Sequence, residues 1–371
     1  MRLENKNILI ISPESWGNNY VSKHHYSLEL IKRGNKVVFL NPSKNGNIFS
    51  NRNFYTQIKG LTIINPPTFL RGLNYFPFKY RKRVHTYQAN SIKRILDQSF
   101  DIVWSFDPFR FQNLQSFKSQ LCIYHAMDFH NSKVESDVIK SADIVFTVSK
   151  MLEDCIKLEN DKCYKIPHGL SDPFIHKITE LPTIVKKSNK INVGCVGNLH
   201  YPYLDTEIFK KIIEDNNKIH FNFIGPISNS NLSSKTININ FVRFLKSMSN
   251  VSLYGSVKSK ELPKYFNKFD LFLICYNSDL YKTHTSNNHK ILEFLSTGKV
   301  IVSHYIDEYK NTNNLVSMSS KLSELPLLFK KVVSELELYN NPTMMDLRRN
   351  YAQKNSYSNQ LNKIQYYLNK F

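Results

Sequence analysis

Residues His289–Ser303 read HKILEFLSTGKVIVS, and a helix, its cap and a strand are legible within that one segment. Lys290 and Glu293 stand three residues apart and so share a helical face, while Ile291, Leu292 and Leu295 supply the buried side. Gly298 suits the left-handed residue that closes a helix, and Lys299–Ser303 returns as an apolar run of the kind that fills a strand covered on both faces. The amino end of such a helix, near Asn287 and Asn288, offers N–H groups and positive dipole to a diphosphate, and Lys290 adds a full charge. One turn deeper, the carboxylate of Glu293 can accept hydrogen bonds from two ribose hydroxyls.

Outward from this segment, short apolar runs alternate with helical patterns. In the first half the runs are Asn7–Ser12, Lys36–Leu40, Asp101–Trp104, Leu121–Tyr124 and Asp143–Val148, with a helix expected over Ser22–Arg33. The second half repeats the rhythm at Ile191–Val196, Ile219–Ile224, Asn250–Tyr254, Asp270–Cys275 and Lys299–Ser303. Strands separated by helices form parallel sheets, so the fold class is α/β with two Rossmann-like, doubly wound domains facing across a cleft. A chain of 371 residues supplies two cores more readily than one. The stretch 176–190, with Pro182 and several lysines but no periodicity, reads as the linker. From Pro342 onward the pattern is helical, with Leu347, Tyr351 and Leu361 as expected buried positions.

A net charge of +20 restricts partners to nucleic acid, an anionic membrane surface or phosphorylated small molecules, although lysine and asparagine are heavily used throughout. The amino terminus, MRLENKNILIIS, lacks the pattern of a secretory leader, and no run of about 18 apolar residues would span a bilayer. The expected location is therefore cytoplasmic, with any membrane association peripheral. Five scattered cysteines read as reduced core thiols, and no Cys or His spacing suggests a metal site. Residues 70–87, LRGLNYFPFKYRKRVHTY, interleave aromatics with Arg71, Lys79, Arg81, Lys82 and Arg83, a composition suited to an anionic lipid interface.

The segment His289–Ser303 resembles the P-x-K-L-x-E-Y-L-A-x-G-K-P-V-V signature of GT-B glycosyltransferases, in particular family 4 and its teichuronic-acid-transferase-like group. Lys290, Glu293, Leu295, Gly298 and Lys299 agree with it; Asn288 and Val300 stand where the two prolines would be. Further blocks resemble the same group in order. They are SPESWGNNYVSKHHYSLELIKRGNKVVFLNP, SADIVFTVSKMLED, IPHGLSDPF, VGCVGNL, FIGP, NVSLYGSVKSKELPKYFNKFDLFLICY and AQKNSYSNQL.

The resemblance implies an acceptor-binding domain over 1–175, a donor-binding domain over 191–340, and a C-terminal helical segment, 341–371, that packs back on the first. It places the donor against Gly197, Asn198, Val257 and Tyr276 together with Lys290 and Glu293. Family 4 enzymes usually carry a second glutamate eight residues before the ribose-binding one, where this chain has Thr285; if transfer retains configuration the departing phosphate can itself help deprotonate the acceptor, and if it inverts a carboxylate or histidine must take the proton. Asp128, after the strand Leu121–Tyr124, is the candidate base, and His25, in the His24–His25 pair beside Lys23, is the second catalytic candidate. No Asp-x-Asp pair is placed to hold a divalent ion on a sugar diphosphate, so the expected chemistry is metal-independent. A nucleotide sugar, UDP-sugar favoured, then serves as co-substrate with no separate cofactor. The expected activity is sugar transfer to a cell-surface glycan or lipid-linked acceptor at the cytoplasmic membrane face. The alternatives are a sugar-nucleotide epimerase of the same fold and a nucleic-acid-binding protein, for which no recognised module is present.

Overall fold

The computed structural model describes residues 2–17, 20–42, 54–55, 58–66, 72–128, 130–178, 190–227, 238–285, 287–312 and 315–371. They form two compact units, Met1–Pro167 with Tyr357–Phe371, and His168–Ser356. The division falls between Pro167 and His168 rather than in the expected linker, most of which (179–189) lies outside the described residues. The helix Asp172–Ile178 places Phe174 in the core of the second unit, which fixes the boundary before it. The helix Pro342–Lys354 also belongs there, with Ala352 in that core; only the following helix, Tyr357–Lys370, joins the first unit.

The first unit is built on strands β1 (Asn7–Ile11), β2 (Lys36–Leu40), β3 (Phe54–Tyr55), β4 (Leu61–Ile64), β5 (Ile102–Ser105), β6 (Leu121–Ala126), β7 (Ile144–Thr147) and β8 (Cys163–Lys165). Their order is β3-β4-β2-β1-β5-β6-β7-β8, parallel except for the β3–β4 pair. Both faces are covered, which is why the strands read as unbroken apolar runs. Ile8 and Ile10 of β1 face the helices Ser22–Lys32 and Tyr357–Lys370, which contribute Tyr26, Leu30, Leu361 and Ile364. Leu9 and Ile11 face the other way, toward Ala89 and Ile92 of the helix Phe78–Leu96 and Val138 of the helix Lys133–Ser141.

Sheet order reverses between β1 and β5, and Arg110 closes the carboxyl end there. Its Nε meets Asp107 at 2.7 Å, and its two terminal nitrogens donate to the carbonyl oxygens of Asn41 at 2.7 Å and Ser12 at 2.6 Å. These carbonyls end β1 and β2 and have no strand partner among the described residues, so the guanidinium satisfies them together. Arg110→Ala strands both carbonyls and leaves the buried Asp107 carboxylate without its cation, held among the described residues only by the amides of Phe109 and residue 110. It is expected to lower the stability of this unit by about 3–5 kcal/mol, read as a fall in the urea midpoint without a change in slope.

The second unit holds β9 (Asn192–Val196), β10 (His220–Ile224), β11 (Val251–Leu253), β12 (Leu271–Ile274), β13 (Ile301–Ser303) and β14 (Ser317–Met318). All pairs are parallel, in the order β11-β10-β9-β12-β13-β14. The segment His289–Ser303 forms the helix Lys290–Ser296, a cap at Gly298 with φ +82°, and β13. A Cβ on Gly298 would lie 3.0 Å from the backbone oxygen of Met345, so the helix Pro342–Lys354 packs directly on the cap. Lys299 is buried, with Nζ donating to the carbonyl oxygens of Asn267 at 3.1 Å and of Phe269. It caps the helix Leu262–Phe266 and is absorbed by the fold.

Candidate active site

Open α/β sheets bind ligands at the carboxyl ends of the strands where strand order reverses, and in the second unit that point lies between β9 and β12. The neighbouring strand ends carry glycines. Gly197 donates its N–H to Ile224 O at 2.9 Å, and Gly225 donates to Gly255 O at 2.9 Å. A Cβ on Gly225 would fall 1.7 Å from Gly197 O, so these two backbones touch and nothing larger than glycine fits at 225.

Tyr276, just past β12, joins the two halves of the point of reversal. A Cβ on Gly197 would stand 3.3 Å from its hydroxyl, which receives a hydrogen bond from Asn288 Nδ2 at 3.3 Å. Asn288 Oδ1 in turn accepts from Lys290 N at 3.0 Å. One expected feature is therefore modified, because an amide of the helix amino end is already capped by Asn288 rather than waiting for a ligand. The basic groups around it remain. Lys290 Nζ lies 3.2 Å from His289 Nε2, and the His289 ring sits edge-on to His168 at 5.9 Å.

Glu293 follows Lys290 on the same helix. Its Oε2 is buried with no hydrogen-bond partner among the described residues, and burial raises its carboxyl to about 7, opposed by the charge of Lys290. Carboxylates left without donors in the interior are costly, so an orphan acceptor here marks a place where a donor from outside would be bound.

His304, immediately after β13, is a site residue that the sequence reading missed. It is fully buried, and its Nδ1 accepts from Tyr276 N at 3.3 Å. Desolvation lowers it to about 4, which keeps it neutral and an acceptor at that nitrogen. It fixes the backbone of Tyr276. The signal was available, since His304 is the first residue beyond the carboxyl end of an expected strand. Thr285, in the position of the absent glutamate, is buried and hydrogen-bonds Tyr281 O at 2.9 Å. Asn198 uses Oδ1 to take His200 N at 2.9 Å in a local turn, and Val257 packs partly buried against the core that holds Ile291 and Phe294. Contacts thus connect Gly197, Tyr276 and Lys290, with Glu293 one turn on, while Asn198 and Val257 make separate local contacts.

The remaining two candidates lie in the first unit. Asp128 stands two residues beyond β6, half-buried, and hydrogen-bonds no described residue. The helix that follows is capped by Ser132, whose hydroxyl accepts from Glu135 N at 3.2 Å, so Asp128 does not serve as its cap. The buried carboxylate nearby, Glu135, is engaged structurally: it accepts from Tyr124 OH at 2.9 Å and from His130 N at 2.8 Å, holding the end of the loop that begins at Asp128. His25 is half-buried and stacks on Tyr357 at 4.8 Å. Its neighbours are unavailable to a ligand. His24 is buried, with Nδ1 accepting from Val21 N and Nε2 set against Ser15 O, and burial lowers it to about 4. Lys23 is buried in an ion pair with Glu14. His125 lies in an aromatic cluster with Trp104 and Phe106.

No protein-family model matches the sequence, and comparison with curated proteins gives no match. Solved structures do match across the chain. Trehalose 6-phosphate synthase from Burkholderia multivorans superposes with TM-score 0.71 at 10% identity, covering 99% of this chain and 98% of that one. Sucrose-phosphate synthase from Thermosynechococcus elongatus gives 0.70 at 11%, covering 98% and 99%. A trehalose-6-phosphate protein from E. coli bound with UDP-2-fluoro glucose gives 0.70 at 11%, covering 97% and 98%. At such identities the likeness establishes the fold, which is that of the GT-B proteins: two Rossmann-like α/β units.

Proposed function

We propose that the protein is a glycosyltransferase that moves a sugar from a nucleoside diphosphate donor, UDP-sugar favoured, to a cell-surface glycan or lipid-linked acceptor at the cytoplasmic membrane face. The observation that carries this reading is the Oε2 of Glu293, buried without a hydrogen-bond partner among the described residues one helical turn beyond Lys290. A ribose supplies the hydroxyl donor that Glu293 Oε2 lacks, and the diphosphate then lies toward Lys290 and His289. The fold neighbours support the donor class, one of them being bound with UDP-2-fluoro glucose. The family 4 resemblance stands on the motif and its ordered blocks, with Thr285 as its departure.

In the reaction the bond between the sugar's anomeric carbon and the diphosphate oxygen breaks, and the acceptor oxygen bonds to that carbon. Lys290 meets the charge that develops on the departing diphosphate, without calling on a bound metal ion. Asp128 takes the acceptor proton. His25 is proposed to line the acceptor side of the same reaction. A thermal-shift screen of nucleotide sugars is expected to show stabilisation by one donor and its nucleoside diphosphate, and none by the free sugar. Stabilisation by no nucleotide sugar would contradict the reading.

A further inference from the structure

Between Glu29 and Asp97 the chain has no acidic residue, while thirteen lysines and arginines fall in that span. Part of this charge is gathered on the helix Phe78–Leu96, whose residues divide into two rows. Arg81, His85, Ala89 and Ile92 are buried and recur at the spacing of one helical face. Arg81 is turned inward, with one guanidinium nitrogen 2.8 Å from Asp137 and the other on Gln112. Lys79, Arg83 and Tyr87 form the opposite row, about 200° round the helix, and all three are exposed. Lys82 flanks that row, also exposed, and among the described residues none of Lys79, Lys82 and Arg83 has an acidic partner.

Aromatic rings continue this outer face. Tyr75 is 94% exposed, and Phe76 is 44% exposed with its ring 5.0 Å from that of Tyr80. Because the Arg81–Asp137 pair and the buried row fix the inner face, the helix cannot roll to hide these rings. An apolar patch kept in water and rimmed by unpaired cations has the chemistry of a surface that meets a partner. Rings at headgroup depth with cations beside them match an anionic bilayer. Nucleic acid fits less well: bases stack in grooves that enclose them, and a tyrosine exposed as far as Tyr75 has no wall opposite it.

We propose that this face, Tyr75, Phe76, Tyr80 and Tyr87 with Lys79, Lys82 and Arg83, docks the protein on an anionic lipid bilayer. The docking is from one side, since among the described residues no helix is long and apolar enough to cross a membrane. The inference deepens the reading of a lipid-linked acceptor and rests on it for its purpose, while its physics stands on the patch alone.

Co-sedimentation of the full chain with phosphatidylcholine vesicles, with and without phosphatidylglycerol, tests it. Binding is expected only to the anionic vesicles and is expected to weaken in high salt. The triple variant Lys79→Gln, Lys82→Gln, Arg83→Gln should lower partitioning on the order of a hundredfold. Tyr75→Ser with Phe76→Ser should weaken binding at high salt as well as low. All five side chains are exposed, so the melting temperature should not move. Failure of the parent protein to bind anionic vesicles, equal binding by the triple variant, or preference for a random oligonucleotide over vesicles at physiological salt would each overturn the proposal. Donor hydrolysis measured on the same proteins without lipid separates the two readings. Retained vesicle binding without donor turnover defeats only the enzyme, and retained turnover without vesicle binding defeats only the docking surface.

Discussion

Glu293→Gln is expected to weaken nucleotide-sugar binding by about ten- to a hundredfold while making the ligand-free protein more stable at pH 8. The loss follows from the chemistry of the contact: hydrogen bonds to a charged acceptor contribute about 1.5–3 kcal/mol, and an amide offers the ribose one acceptor and no charge. The gain follows from linkage. Glu293 is raised to about 7 in the folded protein, against 4.5 for the free group. Protonation is therefore favoured by folding, so the parent protein is most stable below about pH 4.5 as far as this group is concerned, and loses that stability as pH rises through 7. At pH 8 the difference amounts to about 3 kcal/mol. The glutamine variant, uncharged throughout, should match the parent near pH 4 and exceed it at pH 8. Equal pH profiles of unfolding in the two proteins would show that Glu293 is paired or solvated.

Asp128→Asn is expected to leave donor binding intact and to lower turnover by about 10²–10⁴-fold, the range for loss of a positioned general base. The expectation rests on what Asp128 does not do in the first unit: it caps no helix and hydrogen-bonds no described residue, although it stands at the carboxyl end of a central strand. Glu135 provides the contrast, since its buried carboxylate is fully engaged by Tyr124 and His130. Steady-state kinetics in donor and acceptor separate binding from chemistry. Unchanged turnover in Asp128→Asn would assign the acceptor proton to the departing phosphate instead.

The parts of this molecule that could be read from the sequence are those whose chemistry is local. Helix, cap and strand in His289–Ser303 are consecutive, so spacing alone places Lys290 and Glu293 on one face and Gly298 at φ +82°. Contacts between separate strand ends were not legible. Asn288 reaches Tyr276 and Tyr276 reaches His304 only because parallel order brings β12 and β13 together. Charge was the least legible property, because sequence shows that a cation is present and not whom it meets. Lys23 pairs with Glu14, Arg81 with Asp137, and Arg110 gathers the ends of two strands. Helical period likewise gives a stripe without saying what covers it: Leu361 is fully buried, whereas Leu347, read the same way, is 39% exposed. The boundary between units was displaced for a related reason, since the short helix Asp172–Ile178 joins the second core through Phe174, a contact that no composition shift announces.

In the function proposed above, the second unit presents a nucleotide sugar for transfer through the carboxyl edge of its sheet. The most direct test is to incubate the full chain with candidate UDP-sugars, with and without a saccharide acceptor, and to follow the fate of the bond between sugar and diphosphate. Free UDP is expected to appear, faster with acceptor, and Glu293→Gln is expected to suppress its release. An epimerised sugar still joined to its diphosphate, or UDP release untouched by Glu293→Gln, would contradict it.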